Sequence, residues 1–239
     1  MHLKQHLKRI PGLVPAYRHA WFLAQIVRDS FTNPKQVIDG ALARGEWDYS
    51  VPEHQHRYGQ VLEGVSKLRG SGDWGDVLEI GCAEGIFTEE LALRARTVTV
   101  GDISAVAYAR AAKRCAPYSH VRFLELDILK DAVPGQYDLA FVMGVLEMYH
   151  GATRLGRAIK NLARALRPGG LLVLNDPFLP FGLERSWWAR FLAEGGRNHV
   201  AFIEGREGLH LVYYQEIDQP RGWPGYMVAL FEKSADQRQ

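Results

Sequence analysis

From position 76 onward the chain alternates short apolar runs with stretches of helical length. The runs are Val77-Leu78-Glu79-Ile80, Val98-Thr99-Val100, Val121-Arg122-Phe123-Leu124, Leu139-Ala140-Phe141-Val142 and Leu171-Leu172-Val173-Leu174. Runs this short and β-rich, each divided from the next by a helix-length segment, are what a parallel sheet covered on both faces produces. The spacing predicts helices over 86–95, 105–115 and 154–166. Arg167-Pro168-Gly169-Gly170 stops the last helix and turns the chain into the next strand. Beyond Asp176 come a Trp-rich helical piece over 186–194 and two strand-like runs, 209–217 and 226–232, read as an antiparallel hairpin ending the sheet. The sum is a doubly wound, Rossmann-like α/β fold with a seven-stranded, mostly parallel sheet.

The first forty residues follow a different pattern. Lys4, Lys8, Arg9, Arg18 and Arg28 interleave with Leu13, Val14, Tyr17, Trp21 and Phe22, and positions 14, 17, 21 and 25 have helical spacing. This predicts an amphipathic helix, either a cap over the main domain or a surface for peripheral membrane contact. Thr32-Asn33-Pro34 ends it, and 36–43 reads as a second short helix. The expected organisation is a helical cap over 1–60, the main domain over 61–233 and a fraying polar tail over 234–239.

Composition narrows the function classes. A chain of 239 residues, 47% hydrophobic, is long enough to bury roughly three quarters of its unfolded surface. Two cysteines, Cys82 and Cys115, lie in separate segments and fit neither a disulfide framework nor a zinc knuckle. With no apolar run of membrane-spanning length, the expectation is a soluble, cytoplasmic protein. A formal net charge of +2 supplies no field that would make nucleic acid the partner.

In an open α/β sheet ligands bind beyond the carboxyl ends of the strands, where strand order reverses. After the first run comes Glu79-Ile80-Gly81-Cys82-Ala83-Glu84-Gly85, a strand-to-helix turn whose glycines permit positive φ and close ligand approach. After the second comes Gly101-Asp102, where a carboxylate can accept both hydroxyls of a ribose. After the third comes Asp127-Ile128, a polar group beside an apolar wall suited to an adenine ring. The turn lacks G-x-G-x-x-G and holds Glu84, so a pyrophosphate would meet a carboxylate. A ligand carrying an ammonium and a sulfonium suits Glu84 and Glu79 better.

These segments together resemble the motifs of class I S-adenosylmethionine-dependent methyltransferases over about residues 73–178, including the Leu166-Arg167-Pro168-Gly169-Gly170 turn. Ala83 stands where that family often has glycine. The resemblance implies S-adenosylmethionine as cofactor: Glu79, Gly81, Cys82, Ala83 and Gly85 about its methionine part, Asp102 at the ribose, and Asp127 with Ile103 and Ile128 at the adenine. A narrower resemblance, carried by Trp47-Asp48-Tyr49-Ser50-Val51-Pro52-Glu53-His54-Gln55-His56-Arg57-Tyr58, is to the nodulation N-methyltransferase (NodS-like) group. It implies that Tyr49 covers the cofactor and Arg57 meets its carboxylate. His54 and His56 depart from that pattern and read as a loop before a helix starting at Arg57. No metal site is expected, because no cysteine or carboxylate spacing completes one around these histidines.

Methyl transfer needs alignment and exclusion of water more than protein chemistry. The segment Met143-Gly144-Val145-Leu146-Glu147-Met148-Tyr149-His150 follows the fourth run and, in this fold, faces the transferred methyl. Met143 is expected at the cofactor, and Glu147 and His150 as general base or as holders of a cationic acceptor. Their bland readings are a salt bridge within the loop and a helix-capping histidine. Tyr149, Asp176, Trp188 and His199 are the expected acceptor contacts. Asp176 before Pro177 also reads as a turn residue, and Trp188 with Phe191 as core packing. The resemblance favours methylation of an amino group on a small molecule or saccharide. Sugar O-methylation and a non-catalytic, cofactor-binding partner protein are the rivals.

Overall fold

The computed structural model describes residues 33–44, 49–148, 152–177, 196–217 and 225–235. The amphipathic N-terminal helix, Trp47, Tyr149, His150 and the Trp-rich piece with Trp188 lie outside the described residues.

Helix α1 (Pro34–Ala43) begins where Asn33 accepts a hydrogen bond from the Lys35 amide at 3.0 Å, with Pro34 in the first turn. Helix α2 (Pro52–Arg69) also opens on a proline, carries Glu53 in its first turn and Lys67 and Arg69 in its last, and stops at Gly70 with φ 76°. The α/β alternation then runs β1 (Asp76–Ile80), α3 (Ile86–Ala92), β2 (Thr97–Asp102), α4 (Ala105–Arg114), β3 (Val121–Glu125) and β4 (Tyr137–Met143). It continues with a short 3-10 turn (Leu146–Met148), α5 (Ala152–Ala165), β5 (Leu166–Pro177), α6 (Gly196–Ile203), β6 (Leu209–Ile217) and β7 (Tyr226–Lys233).

The seven strands form one sheet in the order β3-β2-β1-β4-β5-β7-β6. β1 to β5 pair in parallel, and β7 runs antiparallel to both β5 and β6. All seven expected runs are strands. Neighbouring residues feed opposite faces, so that on β5 Leu172 and Leu174 pack with α5 and α6 while Leu171 and Val173 pack with α2, α3 and α4. Strand order reverses between β1 and β4, which opens the crevice at their carboxyl ends.

Three local expectations change. The helix containing Arg57 starts at Pro52, so His54 and His56 are helical, because proline presets the first-turn φ. The segment 167–170 is not a separate turn. Leu166 pairs with Tyr137 and Leu171 with Leu139, so the four residues bulge out of a continuous β5. Asp176 is a strand residue opposite Met227 rather than a turn residue, because β7 pairs through to Pro177.

Candidate active site

The turn from β1 into α3 sets the floor. Gly81, Ala83 and Gly85 all hold positive φ, at 85°, 47° and 79°. At Gly85 an added Cβ would stand 2.8 Å from the Ala111 Cα, which makes glycine obligatory for α3 to approach α4. The tight turn points the Cys82 amide at the tip of β2, where it donates to Asp102 Oδ2 at 2.9 Å. The Ser104 amide donates to Asp102 Oδ1 at 2.8 Å. Burial raises the proton affinity of this carboxyl, and the backbone donors oppose the rise.

Above the floor lies a cleft of about 200 Å³ that opens to solvent. One wall is apolar: Ile38 and Leu42 of α1 face Ile103, Leu126 and Ile128 across Asp102. Helix α1 is fastened over this slot. Asp39 accepts a hydrogen bond from Ser104 Oγ, Arg110 donates to the Leu42 carbonyl at 3.2 Å, and Lys35 pairs with Glu125 at 2.5 Å.

The opposite wall comes from α2 and β7. The Tyr49 and His54 ring centres are 4.9 Å apart, and Arg57 lies between the rings of Tyr58 and Tyr226 at 5.2 and 4.5 Å. Arg57 is 3% exposed and its Nε is buried without a hydrogen-bond partner among the described residues. Burial pushes the Tyr226 hydroxyl up to about 12 and the Tyr49 hydroxyl higher, so both remain neutral donors.

The lip is Met143, Gly144, Val145 and Glu147. Glu147 folds back so that Oε1 lies 3.5 Å from where a Gly144 Cβ would stand. Burial pushes its carboxyl up to about 8, the charge of Asp176 adds to the rise, and Arg57 opposes it.

Of the expected site residues, Tyr49, Arg57, Gly81, Ala83, Asp102, Ile103, Ile128, Met143 and Glu147 surround one cleft. Others stand elsewhere. Glu79 points away under α3, accepting from Thr88 Oγ1 at 2.6 Å, and Glu84 is spent on Arg110 at 2.7 Å. The two carboxylates of the turn inferred from the sequence therefore do not line the cleft. Cys82 holds Asp102 through both its amide and its thiol, the latter at 3.5 Å, and Gly85 shapes the turn. Asp127 caps its own loop, accepting from the Leu129 amide at 2.9 Å and pairing with Lys130 at 2.7 Å. Asp176 and His199 are not on the cleft wall. They are fully buried and bonded to each other, His199 Nδ1 to Asp176 Oδ2 at 2.7 Å.

Sequence reasoning missed His54 and Tyr226 as wall residues. For His54 the signal was present, since His54, Arg57 and Tyr58 are three and four residues apart and share one helical face. Tyr226 enters from the last strand, and no local pattern announces it.

Comparison with known proteins places these features in context. The family model for nodulation protein S (NodS) matches residues 32–195. Nodulation protein S of Azorhizobium caulinodans is 32% identical over 153 residues, which are 64% of this chain and 71% of that protein. The counterpart in Bradyrhizobium diazoefficiens is 35% identical over 122 residues, 51% of this chain and 57% of that protein, so the match spans little more than half of its length. The crystal structure of N-methyltransferase NodS from Bradyrhizobium japonicum WM9, in complex with S-adenosyl-L-homocysteine, aligns with a TM-score of 0.73 at 26% identity. That alignment covers 85% of this chain and the whole of the other.

Proposed function

Because the chain belongs to the nodulation protein S family, we propose that it is an S-adenosylmethionine-dependent N-methyltransferase whose acceptor is an amino group on a saccharide or another small molecule. The observation that carries this reading is the meeting of three groups on one cleft. Asp102 is held by two backbone amides, Arg57 is a buried guanidinium with an unpaired Nε, and Glu147 stands on the far lip. An adenosyl amino acid carries a ribose diol, a carboxylate and a cationic centre, and these residues offer a partner for each.

The residues fit the cofactor. Asp102 accepts the two ribose hydroxyls, and Leu42, Ile103, Leu126 and Ile128 enclose the flat base. Gly81 brings no side chain to the cleft, and Arg57 would receive the carboxylate. When bound, S-adenosylmethionine supplies a methyl group already activated on a sulfonium. Tyr49, His54 and Tyr226 would exclude water on the α2 side, and Met143 lines the cleft on the side of Glu147. Glu147 takes the proton that the acceptor nitrogen gives up, and its raised proton affinity suits that task near neutral pH. A cytoplasmic setting accords with two buried, unpaired thiols, Cys82 and Cys115. Among the described residues no helix is long and apolar enough to cross a membrane.

The test is incubation with methyl-labelled S-adenosylmethionine and paired acceptors, free-amine sugars against their N-acetylated counterparts. Label is expected only in the free-amine members. Label in sugars bearing hydroxyls alone would make the enzyme an O-methyltransferase, and binding without transfer to any acceptor would leave a partner protein.

A further inference from the structure

Asp176 and His199 form a hydrogen-bonded pair that does not line the cleft. Asp176 stands near the end of β5 and His199 on α6, and both are 0% exposed. The bond between them, His199 Nδ1 to Asp176 Oδ2 at 2.7 Å, spends one polar atom of each. The other two, Asp176 Oδ1 and His199 Nε2, are buried without hydrogen-bond partners among the described residues. Two apolar side chains would serve the core at least as well, since a buried ion pair seldom repays its desolvation. The position is telling. Met143 at the tip of β4 pairs with Asn175, and the Gly144 amide donates to the Asn175 carbonyl at 2.8 Å. Glu147 folds back over that same Gly144. The pair therefore sits in the layer directly beneath the lip that carries Glu147.

We propose that Asp176 and His199 act as one unit, a positioning pair beneath Glu147 that keeps this carboxyl ready to exchange a proton with the acceptor nitrogen. The inference rests on the amine reading above. Two carboxyls in one water-poor region resist being ionised together. The 2.7 Å bond to His199 fixes the Asp176 carboxyl in the layer beneath Glu147, and burial together with the charge of Asp176 raises the proton affinity of Glu147. Among the described residues, the titratable and charged groups that bear on Glu147 are Arg57 from α2, which favours its ionisation, Asp176 from β5, which opposes it, and Tyr49 and Tyr226, which are neutral. In the proton exchange the acceptor N–H bond breaks with its electron pair remaining on nitrogen, and an O–H bond forms on the ionised Glu147. Each turnover returns that proton to solvent.

The experiment follows Glu147 directly, by carboxyl-¹³C NMR of the full chain labelled at glutamate, the signal assigned by its loss in Glu147→Gln. The wild-type midpoint is expected above about pH 6, beyond the ordinary carboxyl range. Asp176→Asn is expected to lower it by about one pH unit or more, because the opposing charge is gone. His199→Leu is expected to lower it as well, because Asp176 loses the partner that holds its carboxyl in that layer. His199→Asn, whose amide stands near the lost Nδ1, is expected to keep it high. A wild-type midpoint in the ordinary range, or one unmoved by Asp176→Asn, would overturn the proposal. An equal fall in His199→Asn and His199→Leu would overturn the donor role. The wild-type value decides even where a variant does not fold. S-adenosylhomocysteine binding measured on the same samples separates the two readings. Retained binding with an unmoved midpoint removes the pair's role alone, and absent wild-type binding removes the cofactor reading.

Discussion

The guanidinium carbon of Arg57 lies 4.5 Å from the centre of the Tyr226 ring, joining the middle of α2 to the first residue of the last strand. Tyr58 holds the other side at 5.2 Å. A desolvated cation over an aromatic ring is stabilised by about 2 kcal/mol, which fixes the fork while leaving Nε unpaired. Tyr226→Leu is therefore expected to weaken S-adenosylhomocysteine binding by about 5- to 30-fold, and Arg57→Met by more, because that change removes the charge itself. Isothermal titration at low and high salt checks this. Wild-type affinity in both variants would deny Arg57 its role.

Ala83 holds φ 47° where the fold favours glycine, and Gly85 holds φ 79° against the backbone of Ala111. Ala83→Gly relieves local strain at the expense of a looser unfolded chain, so thermal stability is expected to stay within about 1 kcal/mol of wild type. Gly85→Ala adds both left-handed strain and a clash at 2.8 Å, and about 2–4 kcal/mol should be lost in chemical denaturation. Equal stability of the two variants would contradict this account of the turn.

Glu79 is buried beneath α3, and burial pushes its carboxyl up to about 8, against the hydrogen bond from Thr88 and with the charge of Asp102 adding to the rise. Its folded value lies above the unfolded one, so its contribution is full below about pH 4 and is lost as pH rises towards 8. Glu79→Gln keeps a polar partner for Thr88 and never ionises. The variant is expected to gain on wild type between pH 5.5 and pH 8, by about 1 kcal/mol or more at the upper end. Urea denaturation at the two pH values measures the gain, and a pH-independent difference would count against it.

Asp76 responds in the opposite direction. Hydrogen bonding to Arg96, opposed by burial and aided by Arg167 and Thr97, holds its carboxyl down at about 2. The stabilisation is present above about pH 4 and is lost as pH falls towards 2. Asp76→Asn is expected to lose about 1 kcal/mol at pH 7, the discount reflecting partly exposed arginines, and the deficit should narrow on acidification. Denaturation curves at pH 7 and pH 3 test the narrowing.

The sheet is legible in the sequence because its strands are nearly uniform apolar runs, as a doubly covered parallel sheet requires, and Asp102 is legible because it ends one of them. Helix starts were harder. The alternation of His54 and His56 imitates an extended segment, and only Pro52 at the first turn marks where α2 begins. Carboxylates misled most. Glu79 and Glu84 sit in the right turn, yet the pleat turns one under α3 and the other meets Arg110 across 26 residues. The pairing of Asp176 with His199 depends on how α6 packs against β5, a tertiary fact that no local period encodes.

The central claim, that the cleft at the tips of β1, β2 and β4 holds an adenosyl amino acid through Asp102, is tested most directly by calorimetric titration of the whole chain with S-adenosylhomocysteine. The account predicts one molecule bound per chain, and an affinity at least about tenfold weaker in Asp102→Ala, whose ribose partner is gone. No heat of binding in the wild-type chain, or undiminished affinity in Asp102→Ala, would contradict it.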